Sequence, residues 1–144
     1  MAQPGIELVR DLIARFFNGH DPDLAPEFFA QDFRWHGGSV GTIDGIDAYA
    51  ATMRQFFAAL PDAEAIEQDA AQDGDTVTMR FVVRGTHTGA LWGIPPTGNH
   101  VEWDVIMMYH LSNGTIVEQW AAEDWIAFLG AIGAFTPPWA GLRQ

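Results

Sequence analysis

Cysteine and lysine are both absent from this chain of 144 residues. Without cysteine, the chain forms no disulfide and has no thiolate chemistry. Without lysine, seven arginines stand against nineteen acidic residues, which gives a formal net charge of -12 at pH 7. A charge of this sign and size repels nucleic acid and anionic membrane surfaces. The composition therefore predicts neither a nucleic-acid partner nor a membrane partner.

Long apolar runs are also lacking, because none approaches the roughly 20 residues that a membrane-spanning helix needs. The first residues, Met1–Gly5, lack the basic start and apolar run of a secretion signal, so we expect a cytoplasmic protein. No linker, repeat or low-complexity stretch divides the sequence, which is long enough to bury a sizeable core. We therefore expect one domain over residues 1–144.

Aromatic side chains are the informative excess, with ten Phe and six Trp. In so short a chain they can line a cavity as well as fill a core. Histidines are few, and no two of them are spaced on a helix or strand so that a carboxylate would complete a metal-ligand set. The glycine-rich segment around Gly37 also lacks the spacing of a phosphate-binding fingerprint. We therefore expect no metal and no organic cofactor.

Apolar spacing predicts helices first and strands after them. We expect an amphipathic helix over residues 4–18, a short helix from about residue 21 to Ala30, and a third from residue 44 or 45 to Leu60, where Pro61 ends it. Strands are predicted over residues 32–36, 63–72, 76–88, 103–111 and 115–122. This order favours an α+β fold with a largely antiparallel sheet.

The last two strands are joined by Ser112, Asn113 and Gly114, and Asn-Gly between strand-like runs is a strong hairpin signal. With a three-residue loop, Leu111 would face Thr115. One face would then carry the odd-numbered residues of both strands. The other would carry an apolar set that we predict to form a homodimer interface: Ile106, Met108, Ile116 and Trp120.

In this arrangement the chain resembles the SnoaL-like polyketide cyclase family of the nuclear-transport-factor-like superfamily. The marks are the segments 32–36 (DFRWH), 85–89 (GTHTG), 93–98 (GIPPTG), 113–118 (NGTIVE) and 124–133. The resemblance implies a cone-shaped α+β barrel, with three N-terminal helices on a strongly curved, mainly antiparallel sheet that encloses one pocket. It also implies a homodimer, and an enzyme that closes rings in polyketide intermediates by aldol chemistry without metal or cofactor.

The family's polar pocket residues do not carry over to this chain. Aligned without gaps, they fall on Val105, Met107, Gln119 and Ala121, of which only Gln119 can hydrogen-bond a substrate. Two mechanisms then remain open for a cyclase acting on an apolar polyketide-type intermediate. One is aldol closure by a relocated acid or base; the other, which the loss of the polar set favours, is shape-assisted closure such as a [4+2] cycloaddition. A non-catalytic small-molecule-binding or dimerisation protein of the same fold is the alternative.

Several side chains are candidates for the relocated chemistry. Asp124 precedes an apolar helix, so it is better interpreted as its N-cap than as a catalyst, and the loop from Trp92 to His100 is predicted to act as a lid or a dimer contact. Asp104 is a further acid/base possibility. The candidate catalytic residues are Gln119, His87, His36 and Glu123, and the candidate substrate-binding residues are Phe17, Trp35, Thr52, Met53, Phe56, Trp103, Val105, Met107 and Ala121.

Overall fold

The helices lie mostly in the first half of the chain, as their apolar spacing predicts. The computed structural model describes residues 4–142. Within that range no helix is both apolar enough and long enough to cross a bilayer. The α-helices are α1 (Gly5–Asp11), α2 (Ala25–Phe28), α3 (Ile46–Ala59) and α4 (Trp125–Ala131); a π-helical segment (Leu12–Phe17) continues α1, and single 3-10 turns cover Pro22–Leu24, Gly38–Val40 and Ala140–Leu142.

The π-helical segment is the main departure from the predicted first helix. The amide of Asn18 donates to the carbonyl of Ile13, five residues back, at 2.8 Å, where an α-helix would use a carbonyl four residues back. Four apolar side chains of this segment belong to the core or pack against it. These are Leu12, Ile13, Phe16 and Phe17.

Six strands form one sheet with the spatial order β2-β1-β6-β5-β4-β3. Only the pairing of β1 with β6 is parallel among the strands described. The predicted α+β class, with helices on a mainly antiparallel sheet, is confirmed. The sheet is open, because β2 and β3 stand at its two edges and do not pair. The strands are β1 (Phe29–His36), β2 (Thr42–Asp44), β3 (Glu64–Asp73), β4 (Thr76–Thr86), β5 (His100–Ser112) and β6 (Thr115–Glu123).

The turn of the β5–β6 hairpin differs from the predicted one, but most residues of the two strands lie on their predicted faces. Asn113 and Gly114 both have positive φ, as a two-residue hairpin turn requires, and Leu111 pairs with Ile116 rather than with Thr115. A bulge after His110 then adds one residue to β6.

Beyond this bulge the residues lie on their predicted faces, although each pairs two positions further along β6 than predicted. Tyr109 pairs with Gln119, and Val105 pairs with Glu123. Between turn and bulge, however, the predicted faces of β6 are exchanged. Ile116 is fully buried in the core instead of lying on the outer face, while Val117 lies beside an outer groove.

Candidate active site

The helices and the inner face of the sheet enclose a cavity of about 490 Å³. Its wall is mainly aromatic and aliphatic, as in most small-molecule sites. The lining residues are Leu12, Ile13, Phe16, Phe17, Trp35, Val40, Ile43, Tyr49, Thr52, Met53, Gln55, Phe56, Val83, Ala90, Leu91, Trp92, Gly93, Trp103, Met107, Tyr109, Gln119, Glu123 and Trp125.

Glu123, the last residue of β6, supplies the carboxyl group of the cavity. Its Oε1 accepts a hydrogen bond of 3.1 Å from the indole Nε1 of Trp103. The Trp103 ring is held in turn by Trp125 and Phe128, whose ring centroids lie 5.7 and 5.0 Å away. The carboxyl group is therefore oriented by a ring that has little freedom to move.

Burial raises the pKa of Glu123 from 4.5 to about 7, and the hydrogen bond from Trp103 only partly offsets that rise. An ionised carboxylate loses hydration when it is enclosed, so the neutral acid becomes relatively more stable. With a pKa near neutrality, the same group both accepts and donates a proton under ordinary conditions. Glu123 thus has the properties of a general acid/base.

This raised pKa makes a prediction about stability. Glu123 titrates near 7 in the folded chain and near 4.5 when exposed, so the folded state is favoured below pH 4.5 and loses that advantage as the pH rises through 7. Relative to wild type, Glu123→Gln should gain about 3 kcal/mol of unfolding free energy between pH 4.5 and pH 8. Urea unfolding across this range measures the difference. Equal pH dependence in the two proteins would contradict a buried carboxyl group.

Gln119, two tyrosines and the indole N–H of Trp125 are further polar groups of the cavity wall, and the Trp125 Nε1 is buried without a partner among residues 4–142. The amide nitrogen of Gln119 lies 2.7 Å from the sulfur of Met107, and its oxygen is buried without a partner among residues 4–142. A buried carbonyl oxygen without a donor is costly. A ligand that brings an O–H or N–H group to this oxygen would remove that cost.

Most of the candidate substrate-binding residues lie around this one cavity. Val105 and Ala121 do not line it, because they are buried within the inner face of the sheet. The predicted residues that line it, with the two catalytic candidates that do so last, are Phe17, Trp35, Thr52, Met53, Phe56, Trp103, Met107, Gln119 and Glu123.

The two histidine candidates lie outside the cavity lining. Alternation along β1 turns Trp35 inward and His36 outward, where the His36 Nε2 is 2.6 Å from Glu118 and its ring stacks on Trp120. His87 is fully buried, and its Nδ1 accepts a hydrogen bond from the backbone N–H of Thr97. His36 therefore belongs to the outer surface, while His87 fixes the base of the loop that follows β4.

The two aspartate alternatives are also separate from the cavity lining. Asp124 is the N-cap of α4, as predicted, since its Oδ1 accepts a hydrogen bond of 3.0 Å from the amide of Ala127. Asp104 is exposed on the outer face of β5. The loop predicted as a lid or dimer contact begins at the cavity, where Trp92 packs 5.0 Å from Trp125.

Tyr49 and Tyr109 are site residues that the sequence reasoning did not single out as chemical groups. Tyr109 lies on the predicted inner face of β5, so alternation alone places it in the cavity. Tyr49 lies in α3, where apolar spacing marks it only as an inward-facing residue. In both cases the sequence feature that could have identified a site residue was a hydroxyl group on a side chain otherwise interpreted as core.

Gly37 controls the position of Trp35 in the cavity wall. A Cβ added at Gly37 would overlap both the Trp35 indole and the Val40 side chain, so Gly37→Ala must displace the ring. We expect a loss of about 1–3 kcal/mol in unfolding free energy, as for other overpacked sites, together with weaker ligand binding. Ser39→Ala, an exposed change in the same loop, is the control. Identical urea midpoints for all three proteins would show that Trp35 has room to move.

Comparisons with known proteins agree with this architecture. The family model described as SnoaL-like polyketide cyclase matches residues 7–132. The aklanonic acid methyl ester cyclase of Streptomyces sp. strain C5 is 27% identical over 139 residues, which span 94% of this chain and 84% of that protein. The enzyme of the same name from Streptomyces peucetius is 26% identical over 137 residues, spanning 93% and 92%.

Solved structures show the same fold. IdmH, a proposed polyketide cyclase from Streptomyces antibioticus, superposes with a TM-score of 0.79 at 28% identity, covering 91% of this chain and 99% of that one. A proposed SnoaL-like polyketide cyclase from Jannaschia sp. CCS1 superposes with a TM-score of 0.84 at 24% identity, covering 92% and 93%.

Proposed function

This chain belongs to the SnoaL-like polyketide cyclase family, and from that premise we propose that it closes a carbon ring in an apolar polyketide-type intermediate with Glu123 as the acid/base. The observation that carries the proposal is a carboxyl group of raised pKa inside an aromatic cavity. Relatives named as aklanonic acid methyl ester cyclases support the reaction type.

The proposed reaction is an intramolecular aldol closure. Ionised Glu123 removes a proton from a carbon beside a carbonyl group, and the resulting enolate carbon attacks a second carbonyl carbon of the same molecule. The alkoxide formed then takes the proton back from Glu123. Atoms and charge balance without an external oxidant or reductant, and the product is an isomer of the substrate.

The cavity also supports the orienting part of catalysis. Phe17 and Phe56, 5.9 Å apart between ring centroids, and Trp103, 6.2 Å from Phe56, present flat apolar surfaces to a folded chain. Holding two reacting carbons in contact can remove several kcal/mol from a barrier. The buried carboxyl group nevertheless favours aldol closure over the purely shape-assisted mechanism, for which an acid of tuned pKa has no use.

Turnover of a defined substrate tests the proposal. The relatives' names point to aklanonic acid methyl ester as the first compound to try. Purified protein should convert it, or a related polyketide ester, to a product of unchanged mass but different retention, as seen by liquid chromatography with mass detection. Tight binding of such esters without any isomer formed would instead identify a binding protein.

We also propose that the protein acts in the cytoplasm as a homodimer that joins through the outer face of β5 and β6. Three large apolar side chains are exposed there, namely Ile106, Met108 and Trp120, with 49%, 41% and 36% of their surface accessible. A sheet face of this kind is more stable when covered. Sedimentation equilibrium at micromolar concentration should give twice the chain mass, and a monomer would rule the interface out.

A further inference from the structure

Two phenol groups lie in the cavity with the Glu123 carboxyl group. Tyr49 and Tyr109 both line the cavity, and only 7% and 1% of their residue surfaces are accessible. Neither hydroxyl group makes a hydrogen bond to another residue in the described part of the chain. Neither oxygen is among the fully buried unpaired atoms of the described residues, so both hydroxyl groups are open to the cavity and available to a ligand.

The fold holds both rings in place. Tyr49 stacks on Phe16 at 6.0 Å and contacts Phe33 and Phe29 at 5.0 and 5.2 Å between centroids. Tyr109 sits in the middle of the sheet, between β4 and β6, and pairs directly with Gln119. One ring is therefore held by α3 and the other by the sheet.

Both phenols stay protonated near neutral pH. Burial raises the pKa of Tyr49 and of Tyr109, and the negative charge of Glu123 raises both further. All three groups line the same cavity. Two neutral O–H donors beside a proton-accepting carboxyl group match the needs of an enolising ketone, which gains negative charge on oxygen as it loses a proton from carbon.

We propose that Tyr49 and Tyr109 are catalytic residues that together bind the carbonyl oxygen of the substrate and stabilise it as an oxyanion. The site selects enolisable ketones whose α-carbon reaches Glu123 while the oxygen lies between the two phenols. In the step itself, the C–H electron pair moves into the enolate, the proton goes to Glu123, and the negative oxygen is held by two O–H donors. This inference rests on the function proposed above, but it concerns binding that can be measured without turnover.

Naphthols imitate an enolate, because a planar ring carries a hydroxyl group that can become an oxyanion. The test uses 2-naphthol and 2-methoxynaphthalene, which have the same ring but differ in the ability to ionise and donate. Both are titrated into the Glu123→Gln protein, which imitates the protonated carboxyl group and avoids repulsion between two negative charges. Calorimetry gives the affinity, and the absorption of naphtholate gives the pKa of the bound ligand.

Tyr49→Phe and Tyr109→Phe in this background keep the rings and remove only the hydroxyl groups. Each is expected to weaken 2-naphthol binding about tenfold, as for a hydrogen bond to a charged group, and to raise the pKa of bound naphthol. Binding of 2-methoxynaphthalene should change less than about twofold, since the ring contacts persist. Thr78→Val is the control, because the half-buried Thr78 lies in β4 outside the cavity lining.

The outcomes separate this inference from the proposed function. Naphthol affinity that is unchanged in both phenylalanine variants, or equally weakened by Thr78→Val, would overturn the tyrosine pair whatever the turnover assay shows. Hydroxyl-dependent naphthol binding in a protein that converts no polyketide ester would support the oxyanion site and reject the cyclase. Near-ultraviolet circular dichroism of each variant checks that the aromatic packing is retained.

Discussion

Replacing Glu123 by Gln should slow ring closure by at least about a hundredfold, because general acid/base catalysis typically contributes that much. The change keeps the size of the side chain and an oxygen for the Trp103 indole, so substrate binding should persist. Single-turnover rates with saturating substrate measure the chemical step directly. A loss of less than tenfold would indicate that shape alone closes the ring, as the sequence first favoured.

Glu102→Gln is the matched control for this experiment. Glu102 lies in the same sheet, but its side chain is exposed on the outer face of β5. The substitution removes the same charge without touching the cavity, so the rate should stay within about twofold, as for most exposed changes. Equal losses in the two variants would trace the effect to the net charge of the protein.

The pH dependence of the wild-type reaction provides a second readout. As a base, Glu123 acts only when ionised, and its pKa is about 7. The value of kcat/KM should therefore rise with pH and level off above about 7. The residual rate of the Glu123→Gln protein should show no such inflection. A profile that is flat in wild type would exclude this carboxyl group as the base.

Filling the cavity from Met107 should be the other severe change. Met107 lines the cavity opposite Ala121 and contacts the Gln119 amide. Met107→Trp places a large rigid ring in the space of about 490 Å³ that the substrate would occupy. We expect turnover to fall by at least a hundredfold through lost binding and misplacement of the reacting carbons, measured as kcat/KM.

The control for Met107→Trp is Glu102→Trp, which puts the same ring on the same strand but on the outer face, away from Ile106 and Met108. Overpacking costs about 1–3 kcal/mol at a filled site and less at a cavity wall. Thermal unfolding should therefore show both variants folded. Turnover retained in Met107→Trp would mean that the substrate binds elsewhere.

Alternation along the strands was sufficient to predict much of this site. Once the hairpin was recognised, the alternation of side chains placed Trp103, Met107 and Gln119 on one face. The predicted turn was wrong, but the bulge in β6 kept these three residues on that face. The two-residue turn exchanged Ile116 and Val117 between the faces, and the bulge restored the predicted faces from Glu118 onward.

The chemistry of the site was harder to predict because it depends on enclosure. Glu123 follows the pocket-side alternation, yet only the surrounding rings decide whether its carboxyl group is hydrated or buried. His36 and His87 carried the more familiar acid/base side chain, but one faces outward and the other is enclosed beneath a loop. Both histidines therefore lie outside the cavity lining, which residue type alone does not show.

The π-helical segment also affects how this family of cavities can diverge. A π turn holds one more residue than an α turn, so a single-codon deletion between Leu12 and Phe17 could return the helix to regular winding. Because the wider turn already accommodates the extra residue, the helix on either side would keep its orientation, and only the side chains within the segment would change position. Glu123 and the sheet would keep their positions. A single genetic step could thus alter the helical wall of the cavity while the sheet that carries Glu123 stays unchanged.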